Sequence, residues 1–117
     1  MTTKDKLLLI VDKLLVKTQD NLCEWKKQSG SKYVLRMPVF ADIVIYLDIP
    51  INGSYHICLD VVRNDMVLAS VHESEKETQS TLVRLFGYVQ LYHENYLHKQ
   101  LTELMGELNK LGGDKPI

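Results

Sequence analysis

ETQSTLVRLFGYVQLYHENYLHKQLTELMGELNKL, residues 77–111, is the stretch whose reading decides the fold. Leu82, Leu85, Phe86, Val89, Tyr92, His93, Tyr96, Leu97, Leu101, Leu104, Leu108 and Leu111 recur in it at spacings of three and four. Side chains so spaced share one face of a helix. Ahead of it, Ser74-Glu75-Lys76-Glu77 has the spacing of a capping box. Behind it, Lys110 suits the negative end of the helix dipole, Gly112-Gly113 offers a left-handed stop, and Pro116 lies beyond.

One helix of this length would run roughly 50 Å. A compact domain of this size has a radius of gyration of only about 13 Å. At about 100° per residue, the stripe of Leu97 to Leu108 is rotated by roughly 90° from that of Leu82 to His93. The two halves therefore face different partners, and a handover or break is expected near His93 to Tyr96.

Upstream, Thr2 or Thr3 can cap a first helix, with Asp5 in its first turn. Leu7, Leu8, Ile10, Val11, Leu14, Leu15 and Thr18 cluster on one face, and the helix should end near Gln19 to Asn21. Leu9 and Val16 fall on the opposite face among charges. They are either two isolated exposed apolar residues, which are common, or a contact site for a partner helix. Leu22 to Lys27 reads as a short strand or as a last ragged turn.

After the turn Ser29-Gly30-Ser31 come four runs rich in Val, Ile and Tyr: residues 32–37, 42–49, 55–62 and 66–72. Short connections make them an antiparallel meander. Asn52-Gly53 invites a two-residue hairpin, but that register would pair Leu47 with Cys58 and misalign the apolar sets. A three-residue loop, Ile51-Asn52-Gly53, puts Ile43, Ile45, Leu47 and Ile49 beside Tyr55, Ile57, Leu59 and Val61. The same parity makes Arg63-Asn64-Asp65 the next turn. The other sheet face then carries Val34, Arg36, Val44, Tyr46, Asp48, His56, Cys58, Asp60, Leu68 and Ser70, too apolar a set for a fully solvated face.

The chain of 117 residues reads as a single domain, 1–117, large enough to bury a core. A net charge of −1 gives no electrostatic footprint for nucleic acid or an acidic membrane. Cys23 and Cys58 make no disulfide framework, and a reducing, cytoplasmic setting is the simpler expectation. Lys4 and Lys6 before Leu7 to Val11 mimic a signal peptide, but Asp12-Lys13 interrupts the apolar run. No run approaches a membrane span.

His56, Cys58 and Asp60 alternate along one strand and so share a face. A Cys-His pair can form a thiolate nucleophile, but residues two apart on a flat strand stand about 7 Å apart, too far for direct proton transfer. His93 and His98 are five apart, not the four that a zinc-protease helix needs, and the cysteines lack a CxxC spacing. No metal or other cofactor is expected. The tyrosines and Trp25 are spread through the elements, as core and interface area.

An apolar first helix ending Leu14-Leu15-Val16-Lys17-Thr18, then Trp25, a strand meander and the Leu-rich segment from Leu82 to Leu111 together resemble small uncharacterised αββββα proteins of bacterial genomes and their mobile elements. The resemblance implies a fold and no activity. The reading is thus α+β: a first helix, a four-stranded antiparallel meander, and a long or kinked C-terminal helical segment packed on one sheet face. The function expected is a non-enzymatic interaction module of unknown protein partner. It should be homodimeric through Leu9, Val16, Val44, Tyr46 or Leu68. The alternative is a small enzyme or ligand-binding domain on the His56, Cys58 and Asp60 face.

Overall fold

The computed structural model describes residues 2–38, 40–48, 55–73, 75–76 and 78–111. The chain is α+β. Helix α1 (Thr3–Gln19) precedes strands β1 (Lys26–Ser29), β2 (Lys32–Arg36), β3 (Asp42–Asp48), β4 (His56–Arg63) and β5 (Met66–His72), and helix α2 (Gln79–Lys110) closes the order. The strands form one antiparallel sheet in sequential order.

Both ends of α1 are set by local chemistry. The Asp5 N–H donates to Thr2 Oγ1 and the Thr2 N–H to Asp5 Oδ2, each at 3.1 Å, a reciprocal capping box. At the other end Asn21 turns left-handed (φ 58°). The Leu22 N–H then reaches the Lys17 carbonyl (2.9 Å) and the Asn21 N–H that of Thr18 (3.1 Å), the pairing of a Schellman motif. Leu7, Val11, Leu14, Leu15 and Thr18 are buried, whereas Leu9, Ile10 and Val16 are exposed.

The sheet has five strands, not the four expected. The extra one, β1, is the polar run Lys26-Lys27-Gln28-Ser29, exposed at every position. The short strand offered as one reading of Leu22 to Lys27 overlaps it only at Lys26 and Lys27, because an edge strand with no buried face carries no alternation to fix its bounds. Strand β1 pairs with β2 from Lys26↔Val34 to Ser29↔Lys32 around Gly30, whose φ of 46° is a left-handed value that favours glycine.

Between β3 and β4 the register is Leu47↔Ile57 and Ile45↔Leu59, the alignment reasoned from apolar parity. The loop Ile51-Asn52-Gly53 itself lies outside the described residues, as do Ile49, the Ser74 and Glu77 cap, Gly112-Gly113 and Pro116. The next turn differs from expectation. Arg63 pairs with Met66, leaving a two-residue turn in which Asn64 (φ 52°) and Asp65 (φ 62°) are both left-handed. Such a turn alone would put the apolar residues of β5 on the wrong face. A bulge restores the parity: Val62 pairs with Val67, but Val61 with Ala69. Leu68 is the extra residue.

The core lies between the helices and one sheet face. Ile43, Ile45, Ile57, Leu59 and Val71 meet Leu82, Leu85, Phe86 and Val89 of α2 and the buried face of α1. Tyr33 meets Phe86 edge-on, with ring centroids 5.9 Å apart. The Trp25 indole N–H donates to Thr18 Oγ1 at 3.0 Å inside this core.

Helix α2 is unbroken through His93 to Tyr96, so of the handover or break expected there the break is absent. What changes there is the packing. Every residue from Glu94 to Leu108 is exposed. The expected packing of the whole C-terminal segment on the sheet therefore holds only for its first half. Nothing in His93-Glu94-Asn95-Tyr96 forbids helical backbone, so the helix continues past the body as an arm. The overhang gives principal extents of 63 × 37 × 26 Å and a radius of gyration of 17.7 Å.

Three substitutions test this core by urea denaturation. Phe86→Ala should cost about 3–5 kcal/mol, the range for a buried Phe. Thr18→Val should cost about 1–3 kcal/mol, because it strands a buried indole N–H. Thr18→Ser keeps the acceptor and should restore most of that loss.

Candidate functional site

Register on the outer sheet face brings polar side chains from three strands together. Cys58 of β4 lies opposite Tyr46 of β3 and His72 of β5, Asp60 opposite Val44 and Ser70, and His56 opposite Asp48. His56, Cys58 and Asp60 do share this face. The group that engages the thiol, however, is His72: its Nδ1 lies 3.1 Å from Cys58 Sγ. His72 is the residue that reasoning along one strand missed. The signal was available in the parity, since the register that aligns Leu59 with Val71 necessarily aligns Cys58 with His72.

The surroundings hold this thiol protonated. Cys58 is 1% exposed. Burial first, then the charges of Asp48 and Asp60, push its pKa up from 9.0 to about 11. Nucleophilic catalysis needs the opposite shift. Tyr46 is raised too, by burial, by the Asp60 and Asp48 carboxylates and by its hydrogen bond to Asp60. Ser70 Oγ donates to the same carboxylate at 2.6 Å. Asp60 thus spends its acceptors on a tyrosine and a serine. The cluster ties β3, β4 and β5 together across their outer face, and none of Tyr46, Cys58, Asp60, Ser70 and His72 lines the clefts beside α1, over β1 to β3 or at Trp25.

The proposed interaction residues are scattered. Val44 is 8% exposed and Tyr46 is half-buried, with charged neighbours on the same face, while Leu68 projects at the bulge and Leu9 and Val16 from α1. The arm of α2 carries a long apolar row in the open: Leu97, Leu101, Leu104 and Leu108, each 41–59% exposed, with Met105 beside them and Leu111 at the extended cap. His93 is half-buried and lies edge-on to Tyr33, with ring centroids 5.7 Å apart. Among the described residues no His, Cys, Asp and Glu set has the grouping of a metal site, and no helix is long and apolar enough to cross a membrane. No family model, curated protein or solved structure matches the chain.

The raised thiol pKa has a signed consequence. Between pH 9 and about 11 the native state keeps a thiol proton that the unfolded chain has lost, so stability should fall as pH rises through this window, the thiol's own contribution being spent above it. Tyr46 extends the fall above its ordinary value of 10.0. Urea midpoints measured across this range should show the decline in the wild type and a flatter lower portion in Cys58→Ala. A wild-type midpoint that rises with pH there would contradict the assignment.

Proposed function

We propose that the chain is a protein-interaction module that acts as a homodimer, and that its docking element is the arm of α2. The observation that carries this reading is the exposed row Leu97, Leu101, Leu104 and Leu108 on the helix. Its 4-3-4 spacing is a heptad seam, with Leu101 and Leu108 at a and Leu97 and Leu104 at d. The row is about 16 Å long at 1.5 Å per residue. Monomers rarely leave so continuous an apolar row in water.

A second copy fits because the flanks of the seam do not repel it. The e and g positions hold His98, Gln100, Met105 and Glu107, while Lys99, Glu103 and Lys110 point outward. A two-fold dimer sets one seam against its twin, the commonest closed arrangement. The arm also needs help. A helical stretch of this length has marginal stability from propensity alone, and Gly106 costs roughly 0.5–1 kcal/mol relative to Ala.

The sheet face and the outer face of α1 are the competing surfaces for the same function, through Val44, Tyr46 and Leu68 or through Leu9 and Val16. The enzymatic alternative on His56, Cys58 and Asp60 loses support from the closed, protonated thiol. Two free cysteines support a reducing, cytoplasmic setting.

Light scattering after size exclusion, at tens of micromolar protein, should return twice the mass of the 13.5 kDa chain. Leu101→Glu with Leu104→Glu, both exposed in the single chain, should return one chain mass and lose helicity in the arm. A wild type that is monomeric at every concentration would remove the reading. A dimer split by Tyr46→Glu or Val16→Glu, but not by the arm variant, would move the interface to the sheet or to α1.

A further inference from the structure

Away from both the arm and the thiol cluster, a cleft of about 580 Å³ opens between α1 and the edge of β2. Its origin is topological. Strand β1 covers β2 only as far as the pair Lys26↔Val34. Before that point the chain leaves the sheet, because the Leu22 N–H is bound to the Lys17 carbonyl and Trp25 to Thr18 at the end of α1. The edge of β2 from Leu35 to Met37 is left without a strand beside it, and a wedge remains between this edge, Leu22–Glu24 and α1.

The wedge has an apolar interior and a cationic rim. Ile10, Leu14, Leu22, Leu35, Met37 and Ile43 line it, and Ile10, Leu22 and Met37 are exposed. Lys13, Lys17, Lys26 and Arg36 stand around it against one carboxylate, Glu24, in a chain whose net charge is −1. The only ion pair among the described residues is Lys4 with Glu75, so none of these four cations sits in one; Asp42, opposite Arg36 in register, makes no ion pair with it.

We propose that this cleft binds a soluble long-chain carboxylate, its alkyl chain against Leu14, Leu35 and Ile43 and its carboxylate among the rim cations. The volume lies in the range of small-molecule sites, about 300–1,000 Å³. The rim selects against a second copy of the same face, since a two-fold contact would set like charges together. A neutral apolar ligand would leave the cations without use, whereas a carboxylate gains charge-assisted hydrogen bonds from them.

Dodecanoate below its micelle concentration is the probe, titrated calorimetrically into the full chain. Saturable binding of one ligand per chain is expected, with dodecanol at least about tenfold weaker, a factor worth about 1.4 kcal/mol. Lys13→Gln with Lys17→Gln, both exposed and so harmless to the core, should weaken dodecanoate by a similar factor while leaving the melting temperature in place. The Leu101→Glu, Leu104→Glu arm variant should bind dodecanoate as the wild type does, which separates this site from the dimer seam. The proposal is overturned by absence of binding, by equal affinity for dodecanol, or by binding lost in the arm variant. It is equally overturned if the chain ignores dodecanoate but sediments with anionic vesicles or binds an acidic peptide.

Discussion

The structure depends on one constraint: three neighbouring strands must present their apolar residues to the same side. Side chains alternate, so a register error of one residue turns a strand inside out. Between β3 and β4 the alignment of Ile45 with Leu59 satisfies the constraint directly. Between β4 and β5 it conflicts with the tight Asn64-Asp65 turn, and the extra residue Leu68 resolves the conflict. Val71 then reaches the core beside Leu59, and α2 finds a continuous apolar surface for Leu82, Leu85, Phe86 and Val89. The same parity makes the outer face, because Cys58, Tyr46 and His72 can meet only if Leu59, Ile45 and Val71 do.

This is why so much of the core was legible in the sequence. Helical period marks Leu82 to Val89 and Leu7 to Thr18, and alternation marks Ile43 to Leu47 and Ile57 to Val61. Where burial is one-sided, periodicity reports it. The strand Lys26–Ser29 buries nothing, so it left no pattern. The turn at Asn64-Asp65 was read one residue too long because parity can be met by a longer loop or by a bulge, and sequence does not distinguish the two. For α2 the sequence left a handover and a break both open near His93 to Tyr96, because a change in the face of a stripe does not distinguish them; Glu94 to Leu108 continue the helix without a body to pack on. Of the candidate site, His56, Cys58 and Asp60 were placed on one face correctly, but the contact that defines the thiol, with His72, is a cross-strand one.

The two sheet faces do different work. The inner one supplies the non-directional stabilisation of apolar burial. The outer one closes over Cys58 with directional contacts, Ser70 to Asp60 and His72 at the thiol. A buried polar group without partners is costly, and among the described residues no buried side-chain polar atom lacks a hydrogen-bond partner. Reactive-looking residue types are here absorbed by satisfaction of one another. Apolar surface stays open on the arm of α2 and inside the cleft beside β2.

The unbroken course of α2 makes it a ruler. Leu108 lies 19 residues beyond Val89, so about 28 Å of helix separates the last buried residue from the far end of the leucine row. No proline interrupts that span, and a sharp kink in a helix needs such a cause. The leucine row is therefore held at a set distance and azimuth from the sheet. Pulling or twisting on the leucines would be transmitted to the buried turn at Leu85 and Val89 without a joint to absorb it.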